Sequence, residues 1–488
     1  MLRLILLFLT MFACSYSVIA NDDKEFKKWL KQYKKDFQTF VDEHDREFAE
    51  FLKANWIETE VKPEERRDST PKPMTIPTAK PEPAPAPDIE PEPVVKPLPE
   101  VKPMPEIKPA PAPVVPVEFD YRLGERNETS LPMLGQTLKM PRLQAVPLGL
   151  SKVTSNSIAD AWMTMAKTTF KQQIEALQLA AKDLALDDWG QALLTHQYLA
   201  SNRFLDTNDL QLYSWFYLVK QGFDTRVAFY EGKIFLMLSV EQKLFGQKYF
   251  ALDSGKYYFV DLAKKRPIDV GSVYTYDKQH ATASRAVNID LSTAPNHGKT
   301  DKARSLKTKF KRKSIEIQTH YNSEYIEFLD HYPQLSMEYY FKAELPQATK
   351  TSLLNQLRPH LEGLTESQAL NLLLHFVQKS LSYQTDQQQF KYENYLFAGE
   401  TLHYPYADCE DRAVLYAYLV KRLLGNEVIG LQYDGHIATA VAVSAEMPGD
   451  KYRINGKTYV VADPTFINAN VGQTMTGFES QTPKFIIF

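Results

Sequence analysis

Three residues in the last third of this 488-residue chain carry chemistry by type and spacing: Cys409, His436 and Asp463. A thiol, an imidazole and a carboxylate are the parts of a cysteine nucleophile, its base and the group that orients the base. The chain has one other cysteine, Cys14, which falls just after the apolar run Leu4 to Ala13. That run follows the single charge of Arg3, and Val18-Ile19-Ala20 precedes polar Asn21-Asp22-Asp23. The pattern predicts a secretory signal peptide over 1–20 and an exported protein of the periplasm or cell envelope. A lipoprotein signal at Cys14 is the alternative, disfavoured by the bulky Phe12. Cleaved after Ala20 or lipidated on Cys14, the chain keeps one free thiol and forms no internal disulfide. A lone thiol in an oxidising compartment is open to mispairing and oxidation, so its presence asks for burial or catalysis as the reason.

The surrounding sequence predicts the elements that hold these residues. Asp408-Cys409-Glu410-Asp411-Arg412-Ala413 leads into Val414, Leu415, Leu419, Val420, Leu423 and Leu424 and stops at Gly425. This reads as a helix with Asp408 as N-cap and a glycine beyond its last turn. Cys409 falls in the first turn, where unsatisfied backbone N–H groups favour a thiolate. Asp408, Glu410 and Asp411 oppose it, so a basic partner is required. Val428 to Tyr433 and His436 to Val443 read as two strands joined at Asp434-Gly435. Alternation puts His436, Ala438, Ala440 and Ala442 on one face, and that small-residue face is expected to receive the cysteine helix. A third strand, Lys457 to Ala462, follows Asn455-Gly456 and ends in Asp463-Pro464-Thr465, where Asp463 can orient His436. Singly, each residue has a plain reading as a core histidine, a structural cysteine and a turn aspartate. Their order and placement favour the joint one. His403, six residues before Cys409, is a competing base in a less ordered setting.

The segments Asp408 to Ala413, Asp434-Gly435-His436-Ile437-Ala438 and Asp463-Pro464-Thr465 resemble the transglutaminase-like cysteine enzyme superfamily. More narrowly, 156–488 resembles exported bacterial proteins that carry such a domain at the C-terminus, often behind an amphipathic helix. The resemblance implies a papain/transglutaminase-like domain with a cysteine helix packed on an antiparallel sheet that bears histidine and aspartate. It implies Cys409 as nucleophile, His436 as base and Asp463 as orienter. It leaves the reaction open among cross-linking, peptide hydrolysis, glycan removal and inactive binding. Gln387, Gln388 or Gln389 could supply an oxyanion donor besides the Cys409 N–H, and the resembling proteins rank Gln389 first through Gln389-Phe390. Where many members have an aromatic residue or glycine beside the cysteine, this chain has Asp408, and Ile437-Ala438 follows the histidine.

The rest of the chain is expected to support that domain. Net charge is −3, with 57 basic and 60 acidic residues, which excludes nucleic-acid binding through bulk positive charge. Apolar residues at Phe26, Leu30, Tyr33, Phe37, Phe40, Phe48, Phe51, Leu52 and Trp56 predict an amphipathic helix over 21–62, packing on itself or on an envelope partner. Residues 63–116 read as a proline-rich linker; 71–116 alone hold 17 of the 30 prolines. Such density excludes helix and sheet and leaves polyproline II or disorder, reaching on the order of 140 Å. Residues 117–345 read as a mixed helical and β domain, with helices over 156–222 and short strands over 226–262. The basic run 302–313 reads as a solvated loop. Residues 346–488 form the catalytic domain, giving an α+β chain. No phosphate loop, zinc motif or metal-ligand spacing of histidines is present, so no cofactor or metal is expected, and no transmembrane span. The expected activity is acyl transfer on amide bonds of a protein or peptide substrate, hydrolytic rather than cross-linking. The alternative is a catalytically silent envelope binding protein with a relic triad.

Overall fold

The computed structural model describes residues 43–67, 76–79, 118–122 and 127–488, except 204, 253–254, 264–267 and 311–312. The expected signal peptide, Cys14, the first half of the expected amphipathic helix and most of the proline-rich segment lie outside the described residues.

Residues 43–54 are helical, and their stripe faces this chain's own body. Phe48 and Leu52 are buried, and the Phe48 ring meets Trp162 at 4.9 Å and His280 at 5.2 Å, both edge-on. Asp45 Oδ1 accepts from Trp162 Nε1 at 3.1 Å and from Lys220 Nζ, and lies 3.2 Å from His280 Nε2. The helix expected to reach residue 62 ends earlier, because Ile57 and Thr59 start an alternating, β-branched run. β1 (Ile57–Glu60) forms the outer strand of a six-stranded sheet. The proline-rich segment also touches down: the N–H of Ala79 donates to Ile467 O at 2.8 Å.

The next part alternates sheet and helix. A small sheet joins β2 (Glu118–Asp120), β3 (Glu128–Met133) and β4 (Gln136–Pro141). Four helices follow where the 3.6-residue period predicts them: α1 (Ser155–Ala166), α2 (Phe170–Asp183), α3 (Asp188–Ala200) and α4 (Thr207–Lys220). Thr154, Asp187 and Asp206 cap three of them by accepting backbone N–H groups. β5 (Thr225–Tyr230), β6 (Lys233–Ser239), β7 (Tyr249–Leu252), β8 (Gly255–Val260) and β9 (Ser272–Thr275) complete the large sheet, in the order β1-β9-β5-β6-β8-β7 and antiparallel throughout.

β10 (Lys302–Phe310) and β11 (Lys313–Tyr321) pair as antiparallel strands, so most of the basic run expected as a loop is strand. Leu306, Ile315 and Ile317 face inward while Lys307 and Lys309 stay exposed, an alternation that the density of charge concealed. Arg304 reaches from β10 to Thr401 O at 3.0 Å and Pro405 O at 3.3 Å, fastening the segment that leads into Cys409.

The C-terminal part contains α5 (Ser323–Leu329), α6 (Met337–Lys342), α7 (Gln347–Leu361), α8 (Glu366–Ser380), α9 (Asp386–Gln389), α10 (Ala398–His403) and α11 (Cys409–Leu423). Residues 383–407, which lead into the cysteine helix, hold two short helices, α9 and α10. β12 (Val428–Tyr433), β13 (His436–Ala442), β14 (Lys451–Ile454), β15 (Lys457–Ala462) and β16 (Lys484–Ile486) form one antiparallel sheet in the order β14-β15-β13-β12-β16. α11 packs on β13. Ile437, Val441, Val460 and Ala462 join the core that holds α11, whereas Ala438 and Ala440 pack with Tyr433, Tyr459 and Val461 on the other face. This corrects the expected packing: the helix sits on the branched residues, which fill more volume beneath it, and the alanines make room for tyrosines. Burying each of Leu415, Leu419 and Leu423 contributes about 1.5–3 kcal/mol. The architecture is thus mixed α and β on antiparallel sheets, and one apolar cluster runs from Phe48 to Ile486, across the boundary expected at 345. No helix among the described residues is long and apolar enough to cross a membrane.

Candidate functional site

Cys409 is the first residue of α11 and is fully buried. Asp408 caps the helix, and its own N–H donates to Asp411 Oδ2 at 3.3 Å, a reciprocal arrangement of two acids. His436 opens β13 at the rim of the sheet, directly after the Asp434-Gly435 turn, with Gly435 at φ 79°. The two-residue turn fixes the register Tyr433–His436 and so fixes where the imidazole emerges. Asp463 follows β15. Its Oδ1 accepts the N–H groups of Thr465 at 2.9 Å and Phe466 at 3.2 Å, which leaves Oδ2 to meet His436 Nε2 at 2.8 Å.

The other imidazole nitrogen, Nδ1, is buried without a hydrogen-bond partner. Burial alone would lower the His436 pKa; the charge and hydrogen bond of Asp463, followed by the influence of nearby Cys409, outweigh it and raise the value to about 10. His436 is thus held as a strong base whose titration the nearby cysteine influences. The Cys409 thiol itself donates to Glu410 Oε2 at 3.1 Å. His403, the competing base, instead sets its Nδ1 3.2 Å from Tyr321 Oη, and burial lowers its pKa.

The acids flanking the thiol are buried with it. Burial, then repulsion from Asp408, raises Glu410 and Asp411 well above the usual carboxylate range, and Asp386 is raised in the same way. Asp408 rises to about 6, chiefly through burial. Burial and mutual repulsion thus favour the protonated, uncharged forms of Glu410 and Asp411 beside the cysteine. Arg412, also buried, spends its donors on the carbonyls of Ala407, Gln378 and Leu381 at 3.2, 3.3 and 2.9 Å.

Three comparisons, with family models, curated proteins and solved structures, find no match for this chain. Function has to be read from the side chains themselves.

Two features of the site were not expected. Tyr383 Oη is enclosed and has no hydrogen-bond partner; after burial, the charge of Cys409 is the largest influence raising its pKa. A parallel bridge between Ser382 and Tyr406, with the Ala407 N–H on Ser382 O at 3.0 Å, brings this tyrosine alongside the cysteine turn. Gln389, the expected oxyanion donor, is half-buried with Oε1 unpartnered, and nothing among the described residues joins it to Cys409. Gln387 and Gln388 are exposed. The second feature is a donor set: Asp386, Asp408 and Glu410 each place one carboxylate oxygen within 4.8 Å of the others, all buried. Hard oxygen donors of this kind could hold a divalent cation such as calcium. Asp386 stands 22 residues from Asp408, beyond any motif spacing, so only the fold reveals the group.

Proposed function

We propose that the chain is an exported cysteine-dependent acyl-transfer enzyme, with a papain/transglutaminase-like arrangement in residues 346–488, that cleaves amide bonds of protein or peptide substrates. The observation that carries this reading is the imidazole of His436: one nitrogen is fixed by Asp463, the other is buried and unspent, and its charge is coupled to the only free thiol among the described residues. With the thiol proton passed to His436, the Cys409 sulfur attacks the amide carbon, and a C–S bond forms as the carbonyl π bond opens to an oxyanion. The backbone N–H of Cys409, which lacks an intrahelical acceptor in the first turn, and the Tyr383 hydroxyl donate to the developing oxyanion. His436 passes its proton to the amide nitrogen as the C–N bond breaks, and the amine leaves. Water then attacks the thioester, His436 takes its proton, and the acid departs as the thiol is restored. Hydrolysis is favoured over cross-linking because it asks for no second substrate site.

A silent binding protein remains the second reading, motivated by closure: Cys409, His436 and Asp463 are 0%, 1% and 1% exposed. Alkylation by iodoacetamide at pH 6.5 separates the two. The enzyme reading expects Cys409 to label readily in wild type and at least ~10²-fold more slowly in His436→Ala. A thiol equally inert in both proteins sinks it.

A further inference from the structure

A piece of the proline-rich segment lies beside the triad. The Ala79 N–H donates to Ile467 O at 2.8 Å, the Ile467 N–H donates to Pro77 O at 3.2 Å, and Thr78 pairs in parallel with Ile467. Ala79 is buried in a small apolar pocket made by Phe466, Ala469, Met475 and Phe478. This is the loop that fixes Asp463 through the N–H groups of Thr465 and Phe466. The Phe478 ring also lies 4.9 Å from the His436 ring, so one aromatic side chain walls both the alanine pocket and the imidazole.

These contacts have the form of peptide recognition by strand addition, where main-chain hydrogen bonds give affinity and one pocket selects a side chain. Pro77 contributes only its carbonyl, so its missing N–H is no loss. Ala79 contributes its N–H and a methyl group. A larger side chain would have to push aside Phe466 or Phe478. With the triad closed to solvent, any substrate must also enter by displacing what surrounds it, and the shared Phe478 couples entry to the occupancy of this groove.

We propose that the groove between Phe466 and Phe478 is the substrate strand site of the enzyme, that it takes an extended peptide presenting a small apolar side chain, and that residues 77–79 occupy it in cis. The inference rests on the thiol-enzyme reading. An occupant on the same chain competes at an effective concentration on the order of millimolar, so a free peptide binds only to the fraction of molecules in which the segment has left.

The test uses full-length protein and a labelled peptide with the sequence of residues 74–82, followed by fluorescence anisotropy. Ala79→Pro deletes the donor to Ile467. Ala79→Asp keeps that donor but puts a charge in the pocket, so either variant reads the contact if the other unfolds. Peptide affinity is expected to rise at least about tenfold over wild type in both, with iodoacetamide labelling of Cys409 faster in both. Equal affinity in all three proteins, or no binding to any, overturns the proposal where thermal unfolding shows the variants folded. Binding that rises while Cys409 stays inert keeps the groove and sinks the enzyme; a reactive Cys409 with no peptide binding does the reverse.

Discussion

His436–Asp463 and His280–Asp45 are both buried imidazole–carboxylate pairs, at 2.8 and 3.2 Å, yet the first imidazole is raised and the second lowered. The difference lies in what else touches each partner. Asp45 Oδ1 already holds Lys220 and the Trp162 indole, and after burial and the opposing hydrogen bond to Asp45, the charge of Lys220 disfavours a second cation. On the far side of that ring, Nδ1 accepts the Thr282 N–H at 3.2 Å and lies 2.9 Å from its hydroxyl. Both nitrogens of His280 are satisfied in the neutral form, which marks a structural residue. His436 has no rival cation on Asp463 among the described residues, and one nitrogen is unspent beside a thiol. A buried pair becomes a site when one of its capacities is left unused.

The largest expected effect comes from breaking the first pair while sparing the geometry. Asp463→Asn should cut turnover by up to ~10⁴-fold, because an amide stabilises neither the imidazolium nor the required tautomer. The same exchange at the second pair, Asp45→Asn, should leave Cys409 alkylation within about twofold. It should instead cost about 3–5 kcal/mol in urea unfolding, since Lys220 stays buried without its counter-charge. If Asp45→Asn slowed the thiol as much as Asp463→Asn, the distinction between the pairs would collapse. A smaller effect tests Tyr383. Tyr383→Phe removes a hydroxyl that bonds to nothing in this state, so stability should change by less than about 1 kcal/mol. Turnover should nevertheless fall on the order of 10²-fold if that hydroxyl meets the oxyanion. Unchanged kinetics would remove Tyr383 from the mechanism.

Much of the local structure around the site was legible in the sequence. Asp434-Gly435 and Asn455-Gly456 mark two hairpins, Asp408 and Gly425 bracket α11, and alternation places β12, β13 and β15 within a residue of where they fall. The packing face was not legible, because both faces of β13 are apolar and only volume decides which one the helix covers. The roles around Cys409 were partly hidden for a related reason. Tyr383, Asp386 and Arg304 reach the cysteine turn through pairings 24, 22 and about 100 residues long, which leave no periodic trace. The stripe of Phe48 and Leu52 announced a helix but could not say that its partner was the chain's own body rather than the envelope.

The finest way to separate the two pairs is the pH dependence of stability. His436 has a folded pKa of about 10 against 6.5 for a free imidazole, so the fold stabilises its protonated form. That contribution is complete below about pH 6.5 and is lost as pH rises toward 10. His280 runs the other way: its folded pKa is lowered, so its contribution is present above about pH 6.5 and is lost as pH falls through the folded value. Each group can tilt the unfolding free energy by at most about 1.4 kcal/mol per pH unit. Urea melts of His436→Asn, subtracted from wild type, should therefore show a difference that shrinks from pH 6.5 to 10, while those of His280→Asn should show one that shrinks on acidification. Cys409→Ala should reduce the alkaline slope without erasing it, because Asp463 raises the imidazole more than the thiol does. Slopes of the same sign for both histidines would mean that the second pair is also poised to carry a proton, and the contrast between a structural and a functional pair would fail.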